Sequence, residues 1–135
     1  TGKSIITGIA RSGNVEMHTI AKVLVLVVAI QHLVFMCLEM FFWTRPRGRK
    51  LFGLTREKAE VSRALAANQG LYNGFLAAGL VWGLSSRQST NEISMFFLVC
   101  IIVAGVYGAL TVKPVIFFVQ ALPGAIALLL VLTSG

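Results

Sequence analysis

From His18 to Trp43 the chain is almost wholly apolar for 26 residues, ending in AKVLVLVVAIQHLVFMCLEMFFW. A helix rises about 1.5 Å per residue, and about 20 residues cross the hydrocarbon core of a bilayer, so a run of this length is predicted to span a membrane. Glu39 stands four positions before the end of this run. A charge at mid-bilayer costs about 2.5 to 3.5 kcal/mol on insertion scales and less near an interface, so Glu39 is expected to face protein or a polar cavity.

Three further apolar runs follow, at about 64–84, 93–112 and 115–132, separated by short polar or basic links. Lipid offers backbone groups no hydrogen bonds, which makes helices the expected form of all four runs. The predicted fold is therefore all-α: a polytopic membrane protein with four transmembrane helices in a compact bundle, over residues 17–135. Residues 1–16 are polar and begin with Thr rather than Met. They are read as a separate arm: a processed end, an expression remnant or an upstream extension. The first run is too long for a signal-peptide core and has no small-residue cleavage pattern after it, so it is read as a retained span.

Composition agrees with a membrane domain. The chain is 56% hydrophobic and only 13% charged, with a mean hydropathy of +0.82, whereas about 25% of residues are charged in an ordinary soluble domain. Half of its 12 Lys and Arg residues fall between positions 45 and 58. That concentration suits anionic headgroups and a retained loop, and no nucleic-acid partner is expected despite the net charge of +7. The positive-inside rule places residues 44–62 and Lys113 on the cytoplasmic side, or the matrix or stroma of an organelle, with both termini opposite. Lys3, Arg11 and Lys22 weigh against this orientation. A bacterial inner membrane is the expected location, with an organelle membrane as the alternative. Within the first link, Pro46 and Gly48 are expected to stop the first helix, and Thr55–Arg63 to form a short surface helix.

Counted from the span ends, Glu39, Asn68, Tyr107 and Gln120 all lie about 6 to 8 Å inside one interface. Gln69 shares that level, while Tyr72, Asn73, His32 and Gln31 sit deeper. His32 and Glu39 are almost two turns apart, and Asn68 with Tyr72 and Gln69 with Asn73 are i,i+4 pairs. The expected site is a narrow polar pocket formed by Glu39, Asn68, Gln69, Tyr72, Asn73, Tyr107, Gln120 and His32. Within it, Glu39 is expected to meet the second span near Asn68 or Gln69. The alternative is that these groups only hydrogen-bond across helices, at about 0.6 kcal/mol each.

His32 reads first as a satisfied core histidine, with a proton relay or a ligand role as alternatives. No HxxxH or ExxH spacing accompanies it, and no metal is predicted. Cys37 and Cys100 lack ligand spacing and are expected as buried thiols. The chain contains no Asp, no GxSxG, no phosphate-binding loop, no dinucleotide fingerprint and no CxxC, so no cofactor is predicted. Gly70 with Gly74, Gly79 with Gly83, and Ala104 with Gly108 are small-residue pairs that let helices approach closely. Trp43, Trp82, Phe41 and Phe42 suit interfacial belts.

Several strings share one order and spacing: Leu38-Glu39-Met40, Trp43-Thr44, Pro46-Arg47-Gly48-Arg49-Lys50, Phe52-Gly53-Leu54, the run AANQGLYNGF over 66–75, Ala104-Gly105-Val106-Tyr107-Gly108, and Phe118-Val119-Gln120. From about Met17 onward the chain resembles the small bacterial integral-membrane family catalogued as domain of unknown function 1304. The resemblance implies four spans and supplies no substrate. Gln31 stands where that family carries a Glu before the histidine, which leaves a mechanism needing two carboxylates there without support. In layout, with a basic loop followed by Arg63-Ala64 and Asn68, the chain is more loosely similar to the membrane-associated eicosanoid and glutathione metabolism enzymes, which are four-helix trimers. Leu71–Asn73 occupies the place where a Glu is expected in those enzymes.

Three functions are compatible with these residues. The first is binding or transport of a small amphiphilic or cationic molecule, with Glu39 as its charge partner. The others are a glutathione-type membrane enzyme and a structural accessory subunit. Expected partners are the lipid bilayer, such a ligand, and a homo-oligomer or larger membrane complex. The orientation is testable: in a background without Cys37 and Cys100, a membrane-impermeant thiol reagent added from outside should label Ser89→Cys and spare Thr55→Cys. The opposite pattern would invert the topology.

Overall fold

No proline interrupts the chain before Pro46, and the first helix runs unbroken to within a few residues of it. In a computed structural model, which describes residues 2–86 and 90–134 and side chains from Val15 onward, helix α1 spans Gly2–Cys37 and widens into a π-turn over Leu38–Phe42. A short helix α2, Pro46–Phe52, precedes the 30-residue α3, Arg56–Ser85, and α4 covers Thr90–Thr111. A second π-turn, Phe117–Ala121, leads into α5, Leu122–Thr133. All five α-helices and no strand occur among the described residues. Arg87, Gln88 and Ser89, in the middle of the expected polar turn, lie outside them.

Pro46 starts a helix as well as ending one. The residue before a proline is pushed out of the helical region, and Arg45 accordingly has ψ 151°. Pro46 then takes the first helical position, where its missing N–H costs nothing. Gly48 is buried because α2 folds back onto the end of α1: a Cβ there would overlap the Phe42 carbonyl. It is a point of backbone contact rather than the helix stop its composition suggests. At the other end of α2, Gly53 has φ 66°, the left-handed conformation that glycine adopts without penalty. The Leu54 N–H then donates to the Arg49 carbonyl at 2.8 Å, closing the helix as a Schellman motif.

α3 absorbs the surface helix expected at Thr55–Arg63. The Thr55 hydroxyl accepts the Lys58 N–H at 3.2 Å and caps the helix, and with no proline before Ser85 nothing separates the charged start from the apolar remainder. Pro123 explains the second π-turn. A proline inside a helix has no N–H and crowds the carbonyl four residues back. Here the Leu122 N–H reaches five residues back to the Phe117 carbonyl, widening the turn before the ring.

The chain divides into two units, Ala29–Ala78 and Thr1–Val28 with Gly79–Gly135. In the Ala29–Ala78 unit the buried residues include Ala29, Ala59, Ala66, Ala77, Gly48 and Gly70, together with His32 and Asn73. Such a core lets backbones approach closely and leaves cohesion to short-range contact and polar pairs. The other unit buries larger side chains, among them Leu80, Leu98 and Ile101. There the Gly79 and Gly83 pair faces Phe97 and Ser94 of α4, while on α4 it is Gly105, not Ala104, that meets the second π-turn: a Cβ at Gly105 would stand 2.6 Å from the Ala121 nitrogen.

Two helices among the described residues, Val15–Phe42 and Thr90–Thr111, are long and apolar enough to cross a membrane. α3 has the length, but Asn68, Gln69, Tyr72 and Asn73 dilute its apolar character, and Phe117–Thr133 is a shorter apolar helix. Cys37 is exposed and Cys100 half-buried, both as free thiols, so burial holds only in part.

The return of α2 onto the α1 end gives a graded prediction. Gly48→Ala should destabilise by about 2 kcal/mol or more, because its Cβ meets backbone, and Gly53→Ala by about 1 kcal/mol from its positive φ alone. Thermal unfolding in detergent checks the order, and equal losses would contradict it.

Candidate functional site

Helix α3 presents a row of small residues at heptad-like spacing, Ala59, Ser62, Ala66, Gly70, Asn73 and Ala77, all buried or half-buried. Asn73 is the only amide in that row. Positions Asn68, Gln69 and Tyr72 lie outside that row and are exposed.

The row packs against the end of α1. A Cβ at Gly70 would lie 3.0 Å from the Met36 carbonyl oxygen and 3.1 Å from Glu39 Cβ, and one at Gly74 would lie 2.7 Å from Met36 Sδ. Gly70 therefore brings α3 to backbone distance from the widened turn that carries Glu39. Half-buried there, Glu39 accepts a hydrogen bond through Oε2 from Asn73 Nδ2 at 2.7 Å. Glu39 was expected to meet the second span near Asn68 or Gln69; it meets α3 at Gly70, next to Gln69, and its hydrogen-bond donor is Asn73. Helical side chains lean toward the helix N-terminus, and α1 and α3 run in opposite directions here. Glu39 leans back along α1 and Asn73 back toward the start of α3, so the two meet although their Cα atoms are not level. The π-turn adds to the effect, since the extra residue in a π-turn re-aims side chains and such turns are frequent at functional sites.

A clasp at the base of α3 holds this arrangement. Trp43 Nε1 donates to Ser62 Oγ at 3.0 Å, and Ser62 in turn donates to the Lys58 carbonyl at 2.7 Å. The Trp43 ring also packs on Phe52 of α2 at 4.6 Å. Trp43 thus ties the end of α1 to both α2 and α3.

His32 is fully buried and meets the Phe35 ring edge-on at 5.5 Å. Tyr72 is exposed and stacks edge-on with Phe75. Tyr107, on α4, is 69% exposed, and Gln120 is half-buried in the second π-turn; both belong to the other unit. Among the expected site residues of the Ala29–Ala78 unit, a hydrogen bond joins Glu39 and Asn73. Gly70, Met36 and Met40 lie beside Glu39 where α1 and α3 meet, and the signal for Asn73 over its neighbours was its register with the Ala and Gly row. No group of three or more His, Cys, Asp or Glu side chains comes together among the described residues.

The other unit holds a small recess of about 10 Å³ lined by His18, Lys22, Asn91, Ser94 and Ser134 and by the apolar Ala21, Val25, Leu84 and Val131 among others, the volume of a single water. The Ser94 hydroxyl is buried there without a hydrogen-bond partner. Sequence reading did not single out this recess, because its residues come from distant segments.

Over residues 26–132 the chain matches the family described as protein of unknown function DUF1304. It belongs to that family. It is also 31% identical over 120 residues to the uncharacterized protein YpaA of Lactococcus lactis subsp. lactis (strain IL1403), covering 87% of this chain and 98% of that protein. No solved structure matches it. The family match takes in Glu39, Asn73 and the whole segment between them, together with α4 and most of α5.

The two α3 glycines separate backbone contact from side-chain contact. Gly70→Ala presses on the Met36 carbonyl and should cost about 1 to 3 kcal/mol, whereas Gly74→Ala meets only the flexible end of Met36 and should cost less. Asn73→Ala should cost about 1 kcal/mol, the scale of an interhelical polar contact. Unfolding midpoints in detergent give the ranking, and a Gly74→Ala loss as large as that of Gly70→Ala would refute it.

Proposed function

We propose that this chain is a four-span protein of the bacterial inner membrane, with residues 44–62 facing the cytoplasm, and that it binds a small cationic or amphiphilic molecule at Glu39. The observation that carries the reading is the bonding of the carboxylate. Its partner is a neutral amide, Asn73, and Glu39 makes no ion pair among the described residues. An amide fixes the orientation of a carboxylate without cancelling its charge.

Large exposed apolar side chains support the membrane placement. Phe96, Val103, Leu110 and Leu129 are each more than 60% exposed, and apolar surface on this scale is what acyl chains cover. In such surroundings water screens charge poorly, so a cation approaching Glu39 gains more than it would at an aqueous surface. Met36 and Met40 pack on α3 at Gly70, where Glu39 Cβ also lies, and methionine adapts its shape to varied apolar groups. A positively charged amphiphile combines the two chemistries that this surface offers. No metal or cofactor enters this scheme.

The 2.7 Å hydrogen bond itself favours a second reading, in which the pair only locks the register of α1 and α3. Glu39→Gln separates the two, since Gln keeps an oxygen acceptor for Asn73 and loses the charge. In lipid nanodiscs, with empty discs as the baseline, the protein should bind tetraphenylphosphonium, and Glu39→Gln should weaken that binding tenfold or more with the unfolding midpoint nearly unchanged. Equal binding by both proteins, or none by either, would remove Glu39 as a binding carboxylate.

A further inference from the structure

Between Thr44 and Thr55 the chain carries Arg45, Arg47, Arg49 and Lys50 and no acidic residue. α2 is not a floppy basic loop. It is capped by the Gly53 turn, held through Gly48 against the Phe42 carbonyl, and packed through Phe52 on the Trp43 ring. With one side pinned, the outer side is fixed as well. Arg47, Lys50 and Leu51 are spaced i, i+3 and i+4, share that outer side, and are all exposed, Leu51 at 64%. Arg45 and Pro46 are exposed beside them. Among the described residues no carboxylate pairs with Arg45, Arg47 or Lys50. Immediately before this segment, Phe41 is 60% and Phe42 46% exposed at the end of a helix apolar enough to cross a membrane.

We propose that the outer face of α2 is a docking surface for anionic phospholipid in the leaflet it adjoins, with Arg45, Arg47 and Lys50 on the headgroup and Leu51, Phe41 and Phe42 among the upper acyl carbons. Two independent features select this occupant. The uncompensated cations call for an anion, and the exposed apolar side chains in the same patch call for a hydrocarbon phase, which a soluble anion does not provide. The patch is also continuous with α1, so a lipid seated there needs no detour from the bilayer. The proposal concerns a surface separate from Glu39 and stands whether or not that residue binds a cation.

Trp43 reports on the patch directly. The chain has two tryptophans, so Trp82→Phe leaves Trp43 as the only one. In vesicles holding equal mole fractions of phosphatidylglycerol and phosphatidylcholine, lipids brominated high on the acyl chain quench Trp43 when they lie beside it. Brominated phosphatidylglycerol should quench several-fold more than brominated phosphatidylcholine, and Arg47→Gln with Lys50→Gln should abolish the difference. Circular dichroism confirms that the exposed substitutions leave the helices formed. Inorganic phosphate at millimolar concentration should not compete. Equal quenching by the two lipids would overturn the proposal, as would a preference untouched by the double substitution. Loss of the preference in millimolar phosphate would also overturn it, by making the patch a site for soluble anions. Absence of quenching by either lipid would instead count against membrane insertion itself.

Discussion

The close approach of α3 to the end of α1 at Gly70 is the constraint on which the Ala29–Ala78 unit depends. The residues buried there are small or polar, so cohesion comes from backbone proximity and a few directed contacts. Because Gly70 has no side chain, the Met36 carbonyl and Glu39 Cβ can come within about the range of a single missing methyl group. That proximity brings Asn73, one turn further along α3, within reach of the Glu39 carboxylate. A larger residue at Gly70 would separate the helices and leave two polar groups facing apolar surroundings, where each costs more than the bond between them returns.

The same device recurs in the other unit. Gly105 of α4 faces the π-turn at Phe117–Ala121 as Gly70 faces the one at Leu38–Phe42. A π-turn is wider than an α-helical turn and moves its backbone outward, so a neighbour can remain close only where it lacks a side chain. The second widened turn follows from Pro123. The first precedes the sharp exit at Arg45 and Pro46, where α2 folds back with Gly48 against Phe42. Trp43 then links the end of α1 to Ser62 and Phe52, so the Glu39 turn is held from more than one side.

Much of this was legible in the chain. Unbroken apolar runs indicated helices, and among the described residues every regular element is helical and two helices meet the length and composition needed to cross a membrane. Glu39 was expected against protein on the second span, and the Gly70 and Gly74 pair was expected to admit a neighbouring helix. Depth alone could not identify the partner. Residues counted inward from the span ends make Asn68 and Gln69 level with Glu39, but depth ignores which face a residue occupies and which way its side chain leans. Both terms favour Asn73, the amide in register with Ala66, Gly70 and Ala77. α2 was missed for a different reason: Pro and Gly in so short a segment read as a break, whereas Pro46 starts a helix and Gly48 packs it.

The central claim is that an uncompensated carboxylate is held by a neutral amide within the apolar part of the protein. Solid-state magnetic resonance on protein in phospholipid bilayers, labelled with ¹³C on Glu and ¹⁵N on the Asn side chain, measures it most directly. Dipolar transfer between Glu39 Cδ and Asn73 Nδ2 should report a hydrogen-bond separation, and it should vanish in Asn73→Ala while the remaining helix signals persist. A Glu39 carboxyl whose transfer comes from Asn68, or from no asparagine, would contradict the account.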